Sequence, residues 1–245
     1  MLDILNNHKT IRKYTDKKID KDTLDAILNA GCRASTTGNM QLYSVVVTEK
    51  EENKAILAPF HFNQPMIKAA PIVLTICADF NRFNIWCRQR NAEPGYDNFL
   101  SFVTAAVDAM LVAQNIAVAA EAKGLGICYL GTTIYMAKQI IEALELPRGV
   151  VPITTITVGY PDEAPKQIDR LPLESIVHYE SYKDYTAADI DKYYAHKEAM
   201  EENKAFVAEN NKETLAQVFT DVRYKKADNE TFSNALLDVL KQQGF

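Results

Sequence analysis

Apolar residues along this chain change their spacing several times, and each change marks an element. Leu2, Ile4 and Leu5 predict a short N-terminal helix whose basic end is "HKTIRKY", residues 8–14. In "DKDTLDAILNAGCRAS", Leu24, Ile27, Leu28 and Cys32 recur at helical spacing behind Asp20 or Asp22 as the capping residue. "STTGNMQ" interrupts the pattern as a polar loop, and "LYSVVVTE" resumes it as a β-branched strand. "PIVLTICAD", residues 71–79, is apolar without alternation, which predicts a strand buried on both faces.

Residues 97–124 predict a long helix, capped by Asp97 and ended by Gly124. Phe99, Leu100, Val103, Val107, Leu111 and Ala117 put apolar groups on nearly every side of it. Such a helix is buried, either at the centre of its domain or in an oligomer interface. Asp108 argues against a membrane span, because a carboxylate at mid-bilayer costs about 2.5–3.5 kcal/mol. "GLGICYLG", 124–131, predicts a short strand between glycines, followed by a helix around 136–145 and a strand over 151–161. This interleaving gives an α+β or α/β class, and no GxGxxG follows any strand to support a Rossmann site. Beyond about residue 180 the chain is polar and helix-prone without a clear apolar stripe, which predicts helices that wrap the domain or a partner subunit.

Composition changes this picture little. A chain of 245 residues with 47% hydrophobic and 24% charged residues can bury a sizeable core. The net charge of −5 speaks against general nucleic-acid or anionic-membrane binding. Cys32, Cys77, Cys87 and Cys128 form no CxxC pair and have no histidine at metal-ligand spacing, so they read as incidental thiols and no metal site is expected. "MLDILNNHKT" lacks the order of a secretory signal, and the cytosol is the expected compartment.

The motifs of nucleophilic, zinc and nucleotide-phosphate chemistry are absent, and His61 in "FHFNQP" reads as structural. Reactivity, if there is any, belongs to a bound cofactor. His8, Lys9, Thr10 and Arg12 offer cations and a hydroxyl that suit a phosphate, although a basic turn opposing a helix dipole would look the same. "STTGNMQ" could bind heterocycle edges or simply turn the chain. In "YLGTT", residues 129–133, Gly131 permits close approach of a ligand to backbone. Lys166 and Arg170, in "PKQIDRLP", would equally suit a solvated loop.

Taken in order, "HKTIR", "RASTTGNMQ", "CADFNR", "AVDAMLVAQNIAVAAEAKGLGICYLG", "LELP", "VGYP", "DRLPLESIVHYESY" and "LKQQGF" resemble the FMN-dependent nitroreductase family. The likeness is to its larger subgroup of NAD(P)H nitroreductases and flavin reductases with a C-terminal helical extension. The resemblance implies an α+β fold with a central, mainly antiparallel sheet flanked by helices. It implies residues 1–180 as an FMN-binding core and 181–245 as an extension packed on the core or the partner, one domain overall. It also implies an intertwined homodimer with FMN at the interface and NADPH or NADH as reductant. His8, Lys9, Thr10 and Arg12 match the family's phosphate and ribityl grip. Thr37, Asn39 and Gln41 match a polar loop near the flavin, contributed by the opposite subunit, and Asn63 falls near the isoalloxazine. Tyr129, Leu130, Gly131 and Thr132 match the segment whose backbone lies along the flavin, with an amide facing N5. Arg170 matches a second phosphate-binding arginine.

Two positions depart from the family pattern. Ile168 stands where a lysine is usual, with Lys166 as its substitute. Thr132 replaces a glycine and is expected to narrow the space over the flavin. In the extension, Lys204 and Lys212 stand among glutamates where NADPH-preferring relatives carry arginines. The implied activity is ping-pong hydride transfer to nitroaromatics, quinones or free flavin. The alternatives are a non-catalytic flavin-binding protein, or a specialised member acting on an enone or on flavin itself.

Overall fold

A computed structural model describes residues 1–245. The first helix, α1 (Leu2–Asn6), stops before the basic cluster. Residues 8–14 are therefore not a helix end but an extended segment, a correction to the sequence expectation. Thr10 makes a parallel bridge to Ile127, and Tyr14 an antiparallel one to Pro161. The Ile11 amide donates to the Ile127 carbonyl at 2.9 Å. Close approach here needs a glycine, since a Cβ on Gly126 would lie 2.6 Å from the Ile11 side chain. The Tyr14 hydroxyl then locks the segment, donating to the Ile11 carbonyl at 2.7 Å and sharing a bond with Thr157 Oγ1 at 2.8 Å.

Helix α2 (Lys21–Gly31) is capped by Asp20, whose Oδ1 accepts from the Thr23 amide at 2.8 Å. The strands β1 (Tyr43–Thr48), β2 (Ile72–Asp79), β3 (Gly126–Leu130) and β4 (Val150–Gly159) form one sheet in the order β1-β2-β4-β3. Every neighbouring pair is antiparallel. Each residue of β2 is buried, as its unbroken apolar run requires. Pro152, with no N–H to give, sits opposite Cys77 in a central strand, and the β2–β4 register shifts between Ile76 and Cys77. Helices α3 (Glu51–Leu57) and α4 (Met66–Ala69) link β1 to β2, and α5 (Asn81–Gln89) follows β2.

The long helix α6 (Phe99–Ala122) is capped by Asn98 rather than Asp97, with Asn98 Oδ1 accepting from the Ser101 amide at 3.1 Å. Its alanines at 109, 113, 117 and 120 let it close on Leu74, Ile76, Ile127 and Ile156 of the sheet. The opposite face is not buried within the chain, and Leu100 and Val107 are 73% and 53% exposed. By length and composition α6 could cross a membrane, but core helices of soluble proteins pass the same test. Helix α7 (Ala137–Ala143) leads to β4.

The chain divides into two compact units, Met1–Gln167 with Ser233–Phe245, and Ile168–Phe232. The second holds α8 (Ala187–Ala199), α9 (Glu201–Glu209), α10 (Leu215–Val218) and the start of α11 (Lys226–Gln243). Capping boxes at Thr186 and Thr214 start two of these helices. Within the first unit the C-terminus is tied down: the Gly149 amide donates to the Gln243 carbonyl at 3.0 Å, and the Phe245 ring packs 5.7 Å from Phe102.

Candidate functional site

The loop between α2 and β1 takes left-handed backbone at three positions, of which Gln41 is the one whose residue type disfavours it. Gly38, Asn39 and Gln41 all take left-handed φ, at 55°, 57° and 55°, and such residues persist where surrounding bonds over-determine them. Two charged side chains supply those bonds. Asp108, 1% exposed, accepts from the Thr37 amide at 3.0 Å, the Thr37 hydroxyl at 3.1 Å, the Leu42 amide at 3.4 Å and the Thr36 hydroxyl. The Thr36 hydroxyl oxygen in turn accepts from the Gln41 amide at 2.9 Å. From the other side, the Arg82 guanidinium donates to the carbonyls of Gln41 and Tyr43. Asp79 anchors that arginine's helix, accepting from the Arg82 amide at 3.3 Å and from the Ser44 hydroxyl. Thr37 thus donates inward, while the Asn39 and Gln41 side chains are exposed.

The basic segment faces two carboxylates. His8 Nδ1 lies 2.6 Å from Glu121 Oε1. Glu163 Oε1 accepts from the amides of Arg12 and Lys13 at 2.6 and 3.1 Å. The Arg12 amide, ahead of the Lys13 amide and charge, holds the Glu163 carboxyl below its ordinary range. Lys9 and Arg12 are exposed and Thr10 is half-buried. Gln167 Nε2 reaches back to donate to the Asn6 carbonyl at 2.6 Å and the His8 carbonyl at 3.4 Å. The adjacent Lys166 is exposed. Arg170 belongs to the other compact unit, where its Nη1 donates to the neighbouring Asp169 carbonyl at 2.9 Å.

At the end of β3, Leu130 is buried, and the Tyr129 hydroxyl donates to Gln114 Oε1 at 3.3 Å. Apart from its two chain neighbours, nothing lies within 4 Å of where a Gly131 side chain would begin. Thr132, expected from the sequence to narrow the space over the flavin, is itself buried. Its side chain turns inward, 9% exposed, and its hydroxyl meets His61 Nδ1 at 2.9 Å. His61 is fully buried, with no hydrogen-bond partner for Nε2, and burial pushes its pKa down to about 4. A neutral ring with its proton on Nδ1 fits best, since it leaves a bare lone pair rather than an orphaned N–H at Nε2. Asn63, exposed two residues later in a left-handed turn at φ 54°, is tethered by this bond to the 131–133 turn.

The sequence model of the nitroreductase family matches residues 5–160. The chain belongs to the nitroreductase family. This nitroreductase is similar to a solved structure from Bacteroides fragilis NCTC 9343, with 61% identity, a TM-score of 0.98, and coverage of 99% of this chain and 98% of that one. It is 34% identical over 180 residues to an FMN reductase [NAD(P)H] of Bacillus subtilis, covering 73% of this chain and 72% of the relative. It is also similar to the NADPH:FMN oxidoreductase of Vibrio harveyi solved in complex with NAD+, with 26% identity, a TM-score of 0.77 and 96% of each chain covered.

Four residues that organise this nitroreductase's site had no role assigned from sequence: Asp108, Arg82, Glu163 and His61. For two of them a signal existed. Asp108 is the one charge at the middle of an apolar helix, and Arg82 ends "CADFNR". The lysines of the extension prove to be engaged: Lys204 pairs with Glu201 and Lys212 with Asp221, each at 2.9 Å.

Proposed function

We propose that this nitroreductase is an FMN-dependent NAD(P)H oxidoreductase acting on nitroaromatics, quinones or free flavin. The observation that carries the reading is its similarity, over about three quarters of its length, to curated flavin reductases. The residues present fit FMN. The chain offers an open backbone turn at Gly131, a bonded loop with exposed amide side chains at Asn39 and Gln41, and a basic extended segment. These are the donors that a heterocycle edge, a ribityl chain and a phosphate require.

Arg12 supplies the planar guanidinium for the phosphate, with His8, Lys9 and Thr10 beside it and Lys166 as a further cation. Thr37, Asn39 and Gln41 present the polar loop across the interface, kept rigid by Asp108 and Arg82 so that little ordering cost falls on binding. Asn63 and the 129–132 backbone line the ring's side, with His61 holding Thr132 in place. Bound FMN supplies the hydride chemistry between NAD(P)H and the acceptor, and the protein contributes orientation and electrostatics.

A second copy of the chain covers the exposed apolar face of α6, as a helix with two apolar faces requires. The same homodimer brings the polar loop of one subunit to the cofactor of the other. Four free cysteines, three of them buried, suit a reducing cytosol. The inward turn of Thr132 removes one reason for a non-catalytic reading. In the extension, Lys204 and Lys212 are each paired with a carboxylate, Glu201 and Asp221. Anaerobic mixing of the purified protein with NADH and, separately, NADPH tests the proposal. Bleaching of a yellow, FMN-loaded protein is expected; a colourless protein that takes up no added FMN overturns it.

A further inference from the structure

A groove of about 560 Å3 opens between the 38–40 turn and α5, lined by Gly38, Asn39, Met40, Arg82, Phe83 and Trp86. Its size falls in the range of small-molecule sites, roughly 300–1,000 Å3. Its walls are rigid. The loop side is fixed by the bonds of Asp108 and Arg82. On the helix side, the Phe83 ring meets Tyr96 edge-on at 5.5 Å, and Tyr96 stacks on Phe80 at 5.0 Å. Trp86 leans on Phe83 at 5.4 Å, yet remains 54% exposed. A half-exposed indole held against a neighbouring ring offers surface on which a planar ligand can stack.

The one charged residue in the lining is a cation, Arg82. From Asn81 to Arg90 the chain carries Arg82, Arg88 and Arg90 and no carboxylate, in a molecule with a net charge of −5. Arg82 uses Nη2 on the carbonyls of Gln41 and Tyr43, and a guanidinium has further N–H donors at Nε and Nη1. Asn39 adds an exposed amide on the opposite wall.

We propose that this groove binds a planar aromatic ring bearing negative charge, the ring stacked on Trp86 beside Met40 and Phe83 and the anionic group on Arg82. Two molecules carry that chemistry to an enzyme of this kind: an anionic aromatic electron acceptor, and the adenosine-phosphate half of the reductant. That pairing rests on the proposed function, whereas the chemistry of the groove does not. The groove adjoins the loop assigned to the flavin, so either occupant would extend from the flavin site into it.

Trp86 is the chain's single tryptophan and therefore reports on this groove alone. Its fluorescence in the FMN-loaded protein is titrated with 4-nitrobenzoate in one arm and adenosine 2′,5′-bisphosphate in the other. A saturable change that weakens with added salt in either arm supports the proposal and names the source of the ligand. By calorimetry, Trp86→Leu is expected to weaken that ligand about tenfold, in keeping with loss of one stacked ring. Because Trp86 lies at the surface, this variant keeps the fold, as circular dichroism would verify. No saturable change in either arm, or unchanged affinity in Trp86→Leu, overturns the proposal. So does shielding of Trp86 from iodide in the ligand-free protein, which would mean that a second copy covers the groove. A yellow protein with a silent Trp86 refutes the groove and leaves the flavin reading standing. A colourless one with a responsive Trp86 does the opposite.

Discussion

His61 should make this protein lose stability in mild acid, by an amount the structure sets. The ring is 0% exposed and burial lowers its pKa to about 4. The unfolded chain holds the same imidazole near its ordinary value of about 6.5. Between those values the unfolded state binds the proton and the folded state does not, so stability rises with pH across that window. The contribution is complete above about pH 6.5 and is lost as the pH falls toward 4, with a limit of about 3 kcal/mol. At about pH 5 the loss from this one group is already about 2 kcal/mol. His61→Asn removes the titration and keeps a donor that can reach the Thr132 hydroxyl. Urea unfolding at fixed protein concentration, at about pH 8 and about pH 5, should show the unmodified protein losing about 2 kcal/mol more than the variant. Parallel losses in the two proteins would refute the reasoning, because then His61 is either protonated in the folded state or not buried in solution.

Three further outcomes follow from the geometry. Arg12→Ala should weaken FMN retention about 10- to 100-fold through loss of a charge-assisted pair, whereas Lys204→Ala and Lys212→Ala should leave it unchanged; ultrafiltration with fluorescence of released FMN measures both. Asp108→Asn removes the charge that gathers four donors and should cost about 2–4 kcal/mol in urea unfolding, with weaker FMN binding as the loop loosens. Val107→Asp, on the exposed face of α6, should shift the mass seen by light scattering from dimer to monomer and lower FMN occupancy with it.

Legibility in the sequence followed the range of the interaction. β2 was plain because burial on both faces writes itself into eight consecutive residues, and the cap of α2 was narrowed to Asp20 or Asp22 because its partner, Thr23, is local. The basic cluster was misjudged as a helix end because nothing local distinguishes the two states. What makes residues 8–14 extended is Ile11 lying on Gly126, more than a hundred residues further along the chain. The same limit applies to the candidate site. The residue types at 8–12, 37–41 and 129–132 were visible as polar or glycine-bearing interruptions, but their orientations were not. Thr132 looked like an intrusion because a threonine is larger than a glycine. His61, 71 residues away, takes the threonine hydroxyl into a buried hydrogen bond. Asp108 is the complementary case. Its position in an apolar helix served only to argue against a membrane, yet the physics that makes a buried carboxylate costly also requires that it be surrounded by donors. Those donors come from residues 36, 37 and 42, so an isolated acid in the middle of a core helix points to the loop that it must organise.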